Sequence, residues 1–155
     1  MDFRIAGLEA APFQKYFAMD EAELARHHAV RRIVDARPGA PCRIGLIDAE
    51  PGEEVLLVNH EHLPVDSPYR SSHAIYVRER EQPSFDEVNE VPPALRARLL
   101  AVRAFDRHHM MVGCDVAEGA VLEPLLERLL AVPDASYLHV HFARAGCYAA
   151  RVTRA

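Results

Sequence analysis

The clearest periodicity in this chain is helical, and it is short. Val121, Leu122, Leu125, Leu126, Leu129 and Leu130 recur at the spacing of one helix face, with Glu123, Glu127 and Arg128 opposite. Gly119 precedes the run and Pro133-Asp134 stops it, so a helix is expected from Gly119 to Ala131. Shorter helical turns are expected at Pro12–Phe17, at Glu21–His27 behind an Asp20/Glu23 capping box, and at Ala94–Leu99 after Pro93. Most of the other apolar residues form short runs that read as strands: Phe3–Leu8, Val30–Val34, Cys42–Ile47, Val55–His60, Ala74–Val77, Leu100–Phe105, Met110–Val116, Tyr137–Phe142 and Cys147–Val152. Asp48–Glu53 is a turn by its Pro and Gly, joining Cys42–Ile47 and Val55–His60 as a hairpin. Ala143-Arg144-Ala145-Gly146 closes a C-terminal hairpin. Pro64–Ser72 and Gln82–Pro93 are loops. The order of elements predicts an α+β fold, a mostly antiparallel sheet with a few helices packed on it and a C-terminal β-hairpin.

The 155 residues fit one domain, 1–155, and an apolar share of 50% excludes a disordered chain. A net charge of -5 argues against a phosphate-tracking surface, so no nucleic-acid partner is expected. No apolar run is long enough to span a bilayer, and Met1–Ile5 lacks a basic leader with an apolar stretch behind it; no membrane partner and a cytoplasmic location follow. Cys42, Cys114 and Cys147 form no Cys-x-x-Cys pair and read as reduced thiols. Cys114, between Gly113 and Asp115 on a strand, is expected in the core.

Nine histidines are in excess for this length. His27-His28 and His108-His109 are adjacent pairs whose rings point apart, so they are expected on the surface. His139-Val140-His141 is different: strand alternation puts both imidazoles on one face, about 7 Å apart, shared with Tyr137. That spacing suits two ligands of one ion, or a base and its orienting partner; a water-facing sheet surface would carry the same pattern. His60-Glu61-His62 repeats the motif at a strand end. Two such pairs on neighbouring strands would supply four ligands, but Asp66 stands where a cupin's first motif adds a glutamate, and a second cupin motif is absent. No metal ligand and no cofactor is therefore assigned from the sequence.

Cys147 follows Gly146 beside this strand pair, and with His141 as base it is a candidate catalytic nucleophile, with Arg144 as the cation that would activate it. Its alternative is core packing. Arg43 and Arg70 would clamp a carboxylate or phosphate, Arg70 otherwise pairing with Glu50, Glu61 or Asp66. With Tyr69, His73 and His139 they form the candidate ligand-binding set. No Walker loop, dinucleotide fingerprint, nucleophile elbow or His-Glu-x-x-His motif occurs.

Pro41-Cys42-Arg43, Asp48-Ala49-Glu50-Pro51-Gly52-Glu53, Ser67-Pro68-Tyr69-Arg70, His139-Val140-His141 and Gly146-Cys147-Tyr148-Ala149-Ala150-Arg151-Val152 occur in one order. As a set, spread from Phe3 to Arg154, they resemble a bacterial family of proteins of unknown function, number 1203. The resemblance implies a stand-alone domain of this length and no assigned activity. It also implies an asparagine after the second histidine, where this chain has Phe142, so the third member of a Cys-His-Asn arrangement is missing.

Three readings follow. The first is a small-molecule binding or regulatory domain, with a pocket where the final hairpin meets the Pro64–His73 loop and Arg43, Tyr69, Arg70 and His141 take a small acidic molecule. The second is an enzyme or metal-binding protein using His139, His141 and Cys147. The third is an interaction module, a homodimer without chemistry.

Overall fold

The computed structural model describes residues 1–79 and 83–155. The chain opens with strand β1 (Phe3–Ala6), a 3-10 turn at Ala11–Phe13, and a single helical turn, α1 (Gln14–Phe17). Helix α2 (Glu21–Arg26) begins where expected: Asp20 accepts from the Glu23 backbone N–H at 2.8 Å and Glu23 accepts from that of Asp20 at 2.8 Å. Strands β2 (Ala29–Ile33), β3 (Pro41–Cys42), β4 (Ile47–Asp48), β5 (Glu54–Leu63), β6 (Ser71–Arg78) and β7 (Asp86–Val88) lead to helix α3 (Pro93–Arg96). Then come β8 (Leu99–Phe105), β9 (Met111–Glu118), a 3-10 turn at Gly119–Val121, helix α4 (Glu123–Leu130), and the closing hairpin β10 (Tyr137–Phe142) and β11 (Tyr148–Arg154).

Among the described residues the strands make two sheets, ordered β7-β1-β11-β10-β8-β9 and β2-β5-β6-β3-β4. The pairings are antiparallel except for β3 with β6. The architecture is α+β, as the sequence predicts, and the C-terminal hairpin and the β8–β9 hairpin are where it places them.

Several local expectations are corrected. Cys42–Ile47 is not one strand. Leu46 takes a left-handed φ of 51°, which no strand continues through, so Pro41–Cys42 folds back on Ile47–Asp48. The Val55–His60 segment therefore pairs with β2 and β6 instead of with Cys42–Ile47. The helix expected from Gly119 to Ala131 is a 3-10 turn followed by α4, with Pro124 in the first turn of the true helix. The loop expected at Gln82–Pro93 starts outside the described residues, and its described part contains β7, added to the sheet edge beside β1. Cys114 is exposed, because β9 is an edge strand and Gly113 beside it is the residue that meets Leu129 of α4.

Helix α4 lays Leu125, Leu126, Leu129 and Leu130 on Leu100, Val102, Leu138, Val140 and Val152. Burial of such side chains contributes about 1.5–3 kcal/mol each, and it fixes one face of β10 towards the helix. Yet all six residues of β10 are buried. Its other face carries Tyr137, His139 and His141, and it is covered by the second sheet: Leu63 packs with Phe105 and Tyr137, and the His62 ring meets both histidines. The water-facing surface that the His-x-His pattern also permits is thus not what forms. No helix among the described residues is long and apolar enough to cross a membrane.

Candidate functional site

Four histidines meet between the two sheets. The His62 ring centroid lies 4.7 Å from that of His73, 5.4 Å from His139 and 5.2 Å from His141, and His73 lies 5.3 Å from His141. Tyr148 stacks on His62 at 4.8 Å and closes one side. One nitrogen from each of His62, His139 and His141 lies within 4.8 Å of the other two. His139 is 2% and His141 1% exposed.

Two irregularities in the ladders bring these rings together. In the β5–β6 ladder Glu61 is opposite Ser72 and Leu63 opposite Ser71, so His62 is the extra residue of a bulge. A bulge re-aims a side chain, and His62 joins the cluster while His60 packs its ring on Phe13 at 5.4 Å. In the β10–β11 ladder Val140 is opposite Ala150 but His141 is opposite Tyr148, which brings the tyrosine beside the rings. His73 continues the buried side of β6 set by Val77 and Ile75.

The hydrogen bonds decide which nitrogens are bare. His141 Nδ1 lies 3.0 Å from the Gly146 carbonyl, which only accepts, so Nδ1 carries the hydrogen and Nε2 a lone pair. The Ser71 hydroxyl donates its one hydrogen to the Tyr69 carbonyl at 2.9 Å, so it accepts from His62 Nε2 at 3.1 Å and leaves His62 Nδ1 bare. His62 Nδ1, His73 Nδ1, His139 Nδ1 and His141 Nε2 are buried with no hydrogen-bond partner. Unpartnered buried polar atoms are rare in native proteins and call for an explanation.

The electrostatics keep the rings neutral. Burial, then neighbouring His62 and His141, then Arg151 and Arg103, push His139 down to about 2. Burial, then neighbouring His141, His73 and His60, push His62 down to about 3. His141 falls to about 4 through burial and Arg103, opposed by its bond to Gly146. His73 is lowered by burial, then by Arg103 and Arg43. Three uncharged imidazoles, two buried and one half-buried, with ring nitrogens this close form a donor set for a transition metal.

Residues 39–154 match the model of a family described as a protein of unknown function, DUF1203. The chain belongs to this family. No curated protein and no solved structure matches it. The matched span holds all four histidines of the cluster, so the arrangement lies within the DUF1203 region and not in the segment before it.

The DUF1203 chain distributes its other candidate residues over two places. Arg43, His73 and Cys147 line a cleft of about 710 Å³ together with Arg98, Phe142 and Arg144. Arg43 is 1% exposed and donates to the Tyr148 carbonyl at 2.7 Å, to the Pro41 carbonyl, and to Cys147 Sγ at 3.1 Å. Phe142 is held between two guanidinium groups, Arg43 at 4.6 Å and Arg98 at 5.1 Å from its ring. Arg98 itself is fixed by a two-pronged pair with Asp48 at 2.6 and 2.8 Å. Tyr69 and Arg70 do not line this cleft: Tyr69 packs edge-on against Phe105, and Arg70 pairs with Glu61 at the surface. The thiol of Cys147 takes its hydrogen bond from Arg43, and the one bonded nitrogen of His141 is engaged by Gly146, so no hydrogen bond links Cys147 and His141 among the described residues.

His62 was legible as half of a His-x-His pair, but the bulge that makes it the extra residue between Glu61 and Leu63 was not. Arg103 carried no signal in the sequence; its place beside His139 is a matter of strand register.

Proposed function

We propose that this protein binds a divalent transition-metal ion on His62, His139 and His141, with His73 beside the ion and at least one coordination position left for an outside ligand. Two observations carry the reading together: one ring nitrogen from each of His62, His139 and His141 lies within 4.8 Å of the other two, and each of these rings keeps a buried nitrogen with no partner. A tetrahedral zinc ion with metal–nitrogen bonds of about 2.0–2.1 Å sets its ligand nitrogens about 3.3 Å apart, so small ring rotations close the trio on an ion. The Gly146 carbonyl and the Ser71 hydroxyl already hold the opposite nitrogens of His141 and His62, the outer support that metal-bound histidines use. Imidazole donors favour zinc, copper, iron, cobalt or nickel over magnesium or calcium. Three histidines and an open position are the donor set of reactive zinc sites, where the ion polarises a bound oxygen.

The test is metal analysis of protein purified without a histidine tag, then equilibrium dialysis against zinc. The expected result is one equivalent bound per chain by the parent protein and less than one tenth of that by His139→Phe, with matching far-ultraviolet spectra. Substoichiometric zinc in the parent protein, or full binding by His139→Phe, refutes the reading.

A further inference from the structure

Charge sets what completes such a centre. In cross-strand register His139 lies between Arg103 of β8 and Arg151 of β11. Neither arginine forms an ion pair among the described residues; Arg151 lies over the Tyr137 ring at 4.4 Å. Arg103 is directly opposite His139 across the β8–β10 ladder, and Arg43 shares the cleft wall with His73. The described residues place no carboxylate in the cluster. A divalent ion on three neutral imidazoles would therefore sit, buried, among cations alone. Buried charge without a counter-charge is costly, so the balancing anion must come from outside the chain.

The cluster borders a cleft. His73 belongs both to the histidine cluster and to the wall of the 710 Å³ cleft. That cleft is the size of a small-molecule site. Its walls are apolar at Leu57, Leu99 and Phe142, and the three cations Arg43, Arg98 and Arg144 outnumber its one carboxylate, Glu118. Hydroxide alone needs no such space, whereas a carboxylate on an apolar body uses both kinds of wall, and guanidinium groups bind carboxylates with paired hydrogen bonds.

We infer that the ligand of this centre is a small organic carboxylate that enters by the His73 cleft and binds the ion within the field of Arg103. The inference rests on the metal reading above. The experiment uses the full chain loaded with cobalt, whose visible bands report its ligands. Benzoate is the probe, and benzamide, the same shape without the charge, is the control. Benzoate is expected to shift the cobalt bands saturably and benzamide to leave them unmoved. Arg103→Gln raises the half-saturating benzoate concentration by about tenfold or more, the worth of a charge-assisted bond, in protein that still shows the cobalt bands. Arg151→Gln, at an exposed position, supplies the same test if Arg103→Gln does not fold. Cobalt bands that benzoate does not move, or that benzamide moves equally, overturn the carboxylate inference and leave the metal reading standing. Failure to take up cobalt at all overturns both.

Discussion

The metal-free protein should lose stability steeply in mild acid, and the size of the loss is set by the buried histidines. In an unfolded chain imidazole takes up its proton with a pKa of about 6.5. In the folded protein His139 stays neutral to about 2 and His141 to about 4. Between those values the unfolded state binds more protons than the native state, so stability is full above the unfolded pKa and falls as pH falls. Each ring forfeits about 2 kcal/mol by about pH 5, and the two together about 4 kcal/mol relative to about pH 8. Both are essentially unexposed, so solvent screening does not reduce this. Set against a typical domain stability of about 5–15 kcal/mol, the loss is large. Urea unfolding in chelator, at a series of pH values between those limits, measures it. His139→Leu should remove about 2 kcal/mol of the acid-induced loss while the carboxylates' own contribution stays the same in both proteins. His141→Leu provides a second slope. Parallel pH profiles for the parent protein and both variants would refute the claim that these rings are held neutral by the fold.

Two further outcomes follow from the local geometry. Ser71→Ala removes the oxygen that orients His62, so zinc affinity should fall by about 10- to 100-fold with little change in unfolding midpoint; an unchanged dissociation constant in dialysis would show that the ring is held by stacking alone. Gly119→Ala places a Cβ 1.8 Å from the Leu95 carbonyl oxygen, forcing α3 and the turn before α4 apart. The expected loss is about 1–3 kcal/mol in urea unfolding, and a midpoint equal to the parent's would mean that the two segments separate freely.

Much of the fold could be read from the sequence because periodicity and turn chemistry are local. The leucine spacing of α4, the Asp20–Glu23 cap and the glycine of the last hairpin each act within a few residues. What could not be read is set by contacts distant in sequence. The His-x-His alternation on β10 is identical for a strand with one wet face and for one enclosed by α4 and a second sheet; only the packing of β5 and β6 distinguishes them. The bulge at His62 is likewise a property of the ladder between Glu61 and Leu63, not of the residues themselves. Cys147 and His141 were legible as neighbours on one hairpin. What the sequence does not reveal is that Arg43, more than a hundred positions away, engages the thiol, while Gly146 holds the ring.

The same four nitrogens bear on why the cluster exists. An unsatisfied buried polar atom costs about 1–3 kcal/mol, so His62, His73, His139 and His141 together cost an amount comparable to the whole stability of a domain. A fold selected only for packing would have apolar side chains there, as it does on the opposite face of β10 at Leu138 and Val140. Four imidazoles that each keep a bare buried nitrogen are stable to keep only if something that binds the native state alone repays them. An ion does so by mass action, adding about 4 kcal/mol when free zinc stands at a thousand times its dissociation constant. Stability against urea should therefore rise with the logarithm of free zinc in the parent protein and stay flat in His139→Phe. A flat response in both would mean that the native state carries these atoms uncompensated, and that the cost must be met by packing elsewhere.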